Sequence, residues 1–451
     1  MSDAAAPPAD PAALIRTKSY GVLLVLAAVI GVLVSVASWG FLELIHYIQQ
    51  WVFTDLPSGL GFDTVPTWWP LPVLGVAGVI ISFAIVRLPG RGVHEPAEGL
   101  KAGPPTKPID LPGVGLAALA SIGLGLVLGP EAPLIALGTG LAILSVRLAK
   151  KDASDQVLGL MAAAASFAAI SSLFGSPVIG AVILIEAAGL GGPTLPVILL
   201  PGLLAAGIGS LVFIGMGSLT GLSTSAYAIS PLSLPSYPEP NVAAFAWTIL
   251  LAVAVAVAVF LIVQIGLKTQ GLVSKRPFVV IPVAALVVAG LAIAFGQISG
   301  ESANLVLFSG QDAMGPIVNQ AATLSLGTFA FLILFKGLAY GVSLGSARGG
   351  PTFPALFLGI VAGLLAAHLP GYAETPAVAA LMGAATVSVL RLPLASIVLA
   401  LVVSQAGLAT APLIIVAVVV AYITVLLLSA RRDSAAATAS AAAPPVHAAT
   451  A

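Results

Sequence analysis

The chain has 451 residues, of which 59% are hydrophobic and only 8% charged, and its formal net charge is zero. Soluble domains carry about 25% charged residues, so the composition excludes a water-soluble domain and predicts a polytopic helical membrane protein. The neutral balance gives no reason to expect nucleic acid as a partner. There is no cysteine, and the four histidines are scattered without metal-ligand spacing, so we expect no metal site and no cofactor.

Apolar segments cover most of the chain. Residues 1–19 and 431–451 are low in complexity, and we predict that both are disordered tails. Between them, 20–430 is predicted to be one transmembrane domain. Its longest apolar segments suffice to span a bilayer, which takes about 20 residues. They lie at 20–40, 71–87, 241–266, 277–296 and 409–429.

Shorter apolar segments lie between the long ones, and glycine or proline bounds each of them. The chain has 48 glycines and 34 prolines, too many for simple spanning rods. Broken or re-entrant helices are tolerated in lipid only where protein or a cavity covers the loose backbone. We predict such helices at 113–128, 133–148, 157–174, 177–190, 195–215, 325–343, 354–368, 375–388 and 393–405.

Basic residues flank the first and last spans. Arg16 and Lys18 precede the first, and Arg431 and Arg432 follow the last. By the positive-inside tendency, both termini are predicted to be cytoplasmic, with an even number of crossings of the cell membrane.

Two stretches of the chain match each other. GPEAPLIALG at 129–138 and GPTFPALFLG at 350–359 share Gly-Pro-x-x-Pro followed by Leu-Gly. Downstream of each comes a second related stretch, SPVIGAVILIEAAGL from Ser176 and LPLASIVLALVVSQAGL from Leu392. Matched segments in the same order predict an inverted repeat, at about 71–215 and 277–430, with its site near mid-membrane.

Glu131 places a carboxylate at the start of an apolar helix. A buried acid in a membrane is costly, and a helix start is where backbone N–H groups bind anions. An acid at an anion site suggests a gate, and the alternative is an acid that only complements the helix dipole. A third glycine-rich opening, 90–95, precedes the first repeat. Three such helix starts are able to converge on one anion.

These three stretches, in this order, resemble the signatures of the CLC family of voltage-gated chloride channels and proton–anion exchangers, GSGIPE, G-[KR]-E-G-P and G-x-F-x-P. The resemblance implies an all-α fold of tilted and re-entrant helices, with one pathway in each subunit of a homodimer and no cytoplasmic CBS domains. It implies transport of a small inorganic anion, chloride first, with Glu131 as the gating glutamate. The residues that it places around the anion are Gly90, Arg91, Gly92, Val93, Gly129, Pro130, Ala132, Gly349, Gly350, Thr352 and Phe353.

The chain departs from the family pattern at several of these positions. Arg91 stands where the family has a serine, and it either faces the anion or extends to the membrane surface. Pro130 and Pro351 lack a backbone N–H. Thr352 stands where the family has phenylalanine, and its hydroxyl is a possible donor to the anion.

Two further departures concern protons and the pore. Glu186 matches the first acid of a pair found in the family's exchangers, but Ala187 occupies the proton-relay position. Glu186 therefore either handles protons itself or pairs locally. The pore tyrosine that the family carries near its end has no counterpart beyond Tyr422, so the last re-entrant helix is predicted to be missing or reduced.

Several functions stay open from the sequence. Anion transport is either passive or proton-coupled, and the missing relay acid favours passive flux. The permeant anion is chloride or fluoride. A different inverted-repeat transporter for an organic solute is an alternative. No nucleophile–base pair or metal cluster is visible, so we do not expect an enzyme.

Overall fold

The structure, a computed structural model, describes residues 11–90, 96–100, 103–222, 231–237 and 239–442. Within these ranges the chain is built from helices and short connections. A π-helical turn, Trp51–Asp55, joins the second helix to the third. The α-helices are α1 (Pro11–Ile15), α2 (Lys18–Gln50), α3 (Leu56–Gly59), α4 (Pro70–Arg87), α5 (Leu111–Gly123), α6 (Glu131–Ala149), α7 (Asp155–Phe174), α8 (Pro177–Ala187), α9 (Leu195–Thr220), α10 (Val242–Val273), α11 (Pro277–Ser299), α12 (Met314–Asn319), α13 (Leu326–Ser346), α14 (Thr352–Ala366), α15 (Glu374–Leu390), α16 (Pro393–Ser404) and α17 (Ala411–Ala442).

Local sequence signals set many of the helix ends. The side chains of Thr17, Ser154 and Asn241 each accept a hydrogen bond from the backbone N–H three residues later, at the starts of α2, α7 and α10. At the other end, Gly175 and Gly221 adopt left-handed backbone angles directly after α7 and α9. These caps satisfy backbone groups that the helix interior leaves unpaired.

In the described part of the chain, nine helices are long and apolar enough to cross a membrane. The apolar helices α5, α8, α14, α15 and α16 are shorter. This mixture confirms the predicted multi-pass, all-α membrane fold with short helices among the long ones. Two of the short helices, α14 and α15, are packed inside protein, since almost all of their residues are buried.

The two halves of the chain pack in the same way. α2 contacts α7 and α9, and α10 contacts α15 and α17 in the same relation. α6 packs on α7 as α14 packs on α15. Because α2 and α10 take equivalent places, each repeat begins one helix before residues 71 and 277, the starts that we predict from the sequence.

The ends of the chain differ from the predicted tails. Residues 11–15 form α1, α2 already begins at Lys18, and α17 continues through residues 431–442. Alanine is the strongest helix former, so the alanine-rich stretch after Arg432 extends α17. Residues 1–10 and 443–451 lie outside the described residues.

Two glycines set the close contact between α14 and α15. A Cβ on Gly359 would overlap the backbone of Met382, and one on Gly363 would overlap the backbone of Val378. Small residues one turn apart let helix backbones approach closely, and packing of this kind holds membrane helices together. This contact fixes α14, and with it the N-terminus of α14, in place.

We predict that Gly363→Val destabilises the protein, because the new side chain must push α14 away from α15. Overpacking of this kind costs about 1–3 kcal/mol. Gly290→Val is the matched control, since a Cβ on Gly290 of α11 meets nothing within 4 Å. Thermal unfolding in detergent should show a lower midpoint for Gly363→Val only. Equal midpoints for the two variants would contradict the packing argument.

Candidate functional site

The two matched sequence stretches meet in space. The N–H of Gly129 donates to the carbonyl of Gly350 at 2.7 Å, and the N–H of Gly350 donates back to the carbonyl of Gly129. Pro130 and Pro351 follow as the N-caps of α6 and α14, with nearly the same backbone angles. The bridge therefore brings the N-termini of two helices, one from each repeat, to a single point.

Glu131 belongs to the first turn of α6, and its side chain reaches the first turn of α14. Its side chain is fully buried. Its Oε1 accepts hydrogen bonds from the backbone N–H groups of Thr352 at 3.0 Å and Phe353 at 3.1 Å. These are free N–H groups in the first turn of α14, where the helix dipole is positive. The carboxylate thus occupies an anion-binding site made of backbone.

Two buried polar atoms at this point have no hydrogen-bond partner among the described residues. They are Oε2 of Glu131 and the hydroxyl Oγ1 of Thr352. Buried polar groups are normally paired, so each such exception calls for an explanation. A hydroxyl donor and two backbone N–H groups on the first turn of α14 form a set that suits a small anion.

The glycines of the two loops make room for the carboxylate. A Cβ on Gly129 or on Gly350 would overlap the carboxyl group of Glu131. A Cβ on Gly349 would lie 2.6 Å from Cβ of Leu128 in the opposite loop. Only glycine therefore permits the bridge and the buried acid together.

One face of α13 holds the loops around the site. The hydroxyl of the fully buried Tyr340 donates to the carbonyl of Pro351 at 2.6 Å. Ser343, one turn further, accepts a hydrogen bond from the N–H of Val127 at 3.1 Å. α13 thus fixes the chain just before α14 and just before the Gly129 bridge.

A cavity of about 390 Å³, here called the α2 cavity, opens beside the end of α2. Its polar lining includes His46, Gln49 and Asp312. A smaller cavity of about 30 Å³ shares these three residues and reaches Pro130, the neighbour of Glu131. The α2 cavity therefore leads toward the carboxylate from one side.

A second cavity of about 300 Å³, the α8 cavity, lies along α6 beyond its first turn. Ile135 and Ala136, one turn beyond Glu131, form part of its wall. Ala187, which the resemblance places at the proton-relay position, lines it as well. Thr139 and Ser166 are polar members of a mostly apolar lining, and none of the described residues that line this cavity is an acid.

Glu186 lies in a different environment from Glu131. Its Oε1 accepts from the N–H of Leu394 at 2.9 Å, and its Oε2 accepts from the N–H of Ala395 at 2.7 Å. These N–H groups belong to the first turn of α16. Of the two alternatives open from the sequence, the structure therefore displays the local pairing, with both oxygens occupied.

The remaining predicted residues fall into three groups. Gly129, Pro130, Ala132, Gly349, Gly350, Thr352 and Phe353 all lie at the two helix starts. Arg91, Gly92 and Val93 lie outside the described residues. Gly90 has a left-handed φ of 81° and stands against Asp110, before α5. The predicted convergence of a third helix start is therefore not tested.

Sequence reasoning missed Tyr340 and Asp312. Tyr340 sits in an apolar run and touches the site through a backbone carbonyl, which no sequence motif signals. Asp312 lies in a loop between helices, where acids are common. The sequence has no tyrosine beyond Tyr422, and the tyrosine that lies next to the site, Tyr340, comes from α13.

Comparison with known proteins identifies the family of the chain. The family model described as voltage gated chloride channel matches residues 77–426. A YfeO ion-transport protein of Salmonella choleraesuis is 28% identical over 361 residues, which cover 78% of this chain and 81% of the relative. The Salmonella typhimurium protein of that name is 27% identical with the same coverage.

Solved structures share the fold at low identity. A slow cyanobacterial Cl⁻/H⁺ antiporter superposes with a TM-score of 0.71 at 18% identity, covering 90% of this chain and 94% of that one. A CLC-type fluoride/proton antiporter gives a TM-score of 0.64 at 17% identity, with coverage of 89% and 95%. The chain belongs to the voltage-gated chloride channel (CLC) family. The predicted function, transmembrane transport of anions, is confirmed at that level.

We predict that Glu186→Gln lowers stability without changing how transport depends on pH. Glutamine keeps one acceptor for α16 but loses the charge that the helix N-terminus favours, which is worth about 0.3–1 kcal/mol. Thermal unfolding and anion flux between pH 5 and 8 are the measurements. A changed pH profile in a folded protein would instead assign Glu186 a proton-handling role.

We predict that Asp312, in the lining of the α2 cavity, makes anion flux weakly dependent on pH. Burial raises the pKa of the Asp312 carboxyl to about 6, and His46 opposes the rise. Asp312 is therefore neutral below about pH 6 and repels anions above it. In a Glu131→Gln background, anion flux should fall about threefold as the pH on this side rises from 5 to 7. Asp312→Asn should abolish the fall, and its persistence would exclude Asp312.

Proposed function

We propose that this protein is a passive chloride pathway whose gate is the Glu131 carboxylate. One observation carries the proposal: Oε1 of Glu131 binds the N–H groups of Thr352 and Phe353, which form a site for any small anion. A carboxylate and a halide are competing ligands for the same donors. When Glu131 is ionised and in place, the site is taken and the path is closed.

Opening requires Glu131 to leave the first turn of α14. Protonation removes the negative charge that holds the side chain against the N–H groups, so a proton and an entering anion both favour release. The vacated site then offers the Thr352 and Phe353 N–H groups and the Thr352 hydroxyl to the anion. Because the donors are neutral, the anion is held without a cationic side chain in direct contact, which suits rapid passage.

The two cavities supply the access routes. The α2 cavity reaches Pro130 and the α8 cavity reaches Ile135, so the route is interrupted at Glu131. With the N-terminus of α2 on the cytoplasmic side, as the basic residues before it suggest, the α2 cavity faces outward. The α8 cavity then faces the cytoplasm, and both chain termini are cytoplasmic.

Passive flux, rather than exchange for protons, is supported by Ala187. Its side chain lines the α8 cavity, and the neighbouring Glu186 is bound to α16 with both oxygens. A proton coming from the cytoplasm would find no free carboxylate at this position. We expect transport to need no cofactor.

We also propose that the protein is a homodimer with a pathway in each subunit. α8 and α16 lie side by side and are too short to span a bilayer alone. Their apolar side chains Val178 and Leu394 are 64% and 54% exposed. A second copy covering this face would shield short helices from lipid.

The test is anion efflux from proteoliposomes with simultaneous pH recording. The wild type should release chloride faster at low pH, without moving protons. Glu131→Gln should conduct at all pH values with most of the pH dependence gone, since the substituted side chain no longer ionises. Glu186→Gln serves as the control, because it also removes an intramembrane carboxylate but not the gate.

Each other outcome identifies a different function. Protons driven uphill by a chloride gradient would show an antiporter, and flux of fluoride alone would show a fluoride exporter. A Glu131→Gln variant that keeps the wild-type pH profile would refute the gate. No flux of any small anion would refute anion transport and leave an organic solute as the alternative.

A further inference from the structure

Lys336 is a fully buried lysine in the middle of α13. Its ammonium donates to the carbonyls of four successive residues, 305–308, at 2.9–3.3 Å. It also lies 4.7 Å from the centroid of the Phe357 ring. These contacts satisfy the hydrogen-bonding capacity of an ammonium group, which has three donors.

None of these contacts neutralises the positive charge. Among the described residues no carboxylate pairs with Lys336, because carbonyls and an aromatic ring carry no net charge. An ionisable residue inside a membrane protein is costly and marks a functional site by default. The interior therefore needs a negative charge to balance it.

The neighbouring elements offer few candidates for that charge. α11 and α14 pack against α13 and contain no charged residue, and α10 contributes only Lys268. The turn Pro96–Glu98 also packs against α13 and carries Glu98. In the sequence, Glu301 and Asp312 lie four residues before and four residues after the carbonyls of 305–308. Glu131, at the N-terminus of α14, is the acid among these that is fully buried, as Lys336 is.

Two routes connect Lys336 with the Glu131 site. Lys336 and Tyr340 are one turn apart on the same face of α13, and Tyr340 holds Pro351, next to Thr352. Along α14, Phe357 under the ammonium is one turn from Phe353, whose N–H binds Glu131. Helix dimensions then give a charge separation of about 10 Å.

We propose that Lys336 is the fixed positive charge of the anion pathway. Its ammonium balances the Glu131 carboxylate when the gate is closed, and it balances the transported anion when the carboxylate has left. The lysine thus determines anion affinity from a distance, without touching the anion. This inference rests on the function proposed above, because it requires an anion at the Glu131 site.

The magnitude follows from Coulomb's law. At about 10 Å and an effective dielectric constant of about 20, two unit charges interact strongly enough to change a binding constant about tenfold. Lys336→Gln keeps donors for the carbonyls but removes the charge. It should raise the chloride concentration for half-maximal flux about tenfold, and Lys336→Arg should leave it near the wild-type value.

The experiment combines these variants with Glu131→Gln in a double-mutant cycle, read by chloride flux and thermal unfolding. Lys336→Gln should destabilise the wild type more than the Glu131→Gln protein, which has no carboxylate to leave unbalanced. The tenfold loss of chloride affinity should appear in both. Asp312→Asn in place of Glu131→Gln is the control, and it should not relieve the destabilisation.

Other results would overturn the inference. If wild-type protein transports chloride and folded Lys336→Gln keeps its affinity, the lysine is only a clamp on residues 305–308, while the proposed function stands. If Lys336→Gln lowers stability equally in the wild type and in the Glu131→Gln protein, the lysine is again only a clamp on residues 305–308. If the single variant Lys336→Gln fails to fold, the double variant with Glu131→Gln should fold, because it has no carboxylate to leave unbalanced. If the double variant also fails to fold, the lysine is only a clamp on residues 305–308. Wild-type protein without anion flux would refute the proposed function itself.

Discussion

The structure depends on one contact, the Glu131 carboxylate on the first turn of α14. A buried carboxylate is stable only where donors replace its water, and the N–H groups of Thr352 and Phe353 do so. The Gly129–Gly350 bridge holds the two helix starts together, and the missing Cβ atoms leave space for the acid. Because the donors recognise negative charge rather than the side chain, an inorganic anion is able to take the same place.

The binding of a glutamate carboxylate to a helix N-terminus occurs at two places in the structure, with different consequences. Glu131 and Glu186 each come from the first repeat and bind the N-terminus of a helix in the second. Glu186 is partly exposed and uses both oxygens, so its contact staples α8 to α16. Glu131 is fully buried, leaves Oε2 without a partner among the described residues and lies between two cavities. Both acids bind a helix N-terminus, so this contact alone does not make a gate. Glu131 is suited to gating because it is buried between the two cavities, whereas Glu186 only joins α8 to α16.

The fold and the centre of the site were predictable because they follow from local patterns. Apolar length and glycine–proline boundaries predicted the helices, and the matched stretches at 129 and 350 predicted two equivalent helix starts. The bridge between them, the clamp by Tyr340 and the α2 cavity depend on tertiary packing, which leaves no pattern in the chain. Lys336 is a charge in an apolar run that we did not single out from the sequence, and its four carbonyl partners come from a loop about 30 residues away.

The central claim is that Glu131 and a transported anion compete for the N–H groups of Thr352 and Phe353. A crystal structure of Glu131→Gln grown in bromide, with anomalous scattering to locate the ion, tests it directly. The account predicts bromide within hydrogen-bonding distance of both N–H groups in the variant, and none there in wild type at high pH. Bromide bound elsewhere, with these N–H groups still held by the side chain at 131, would contradict it.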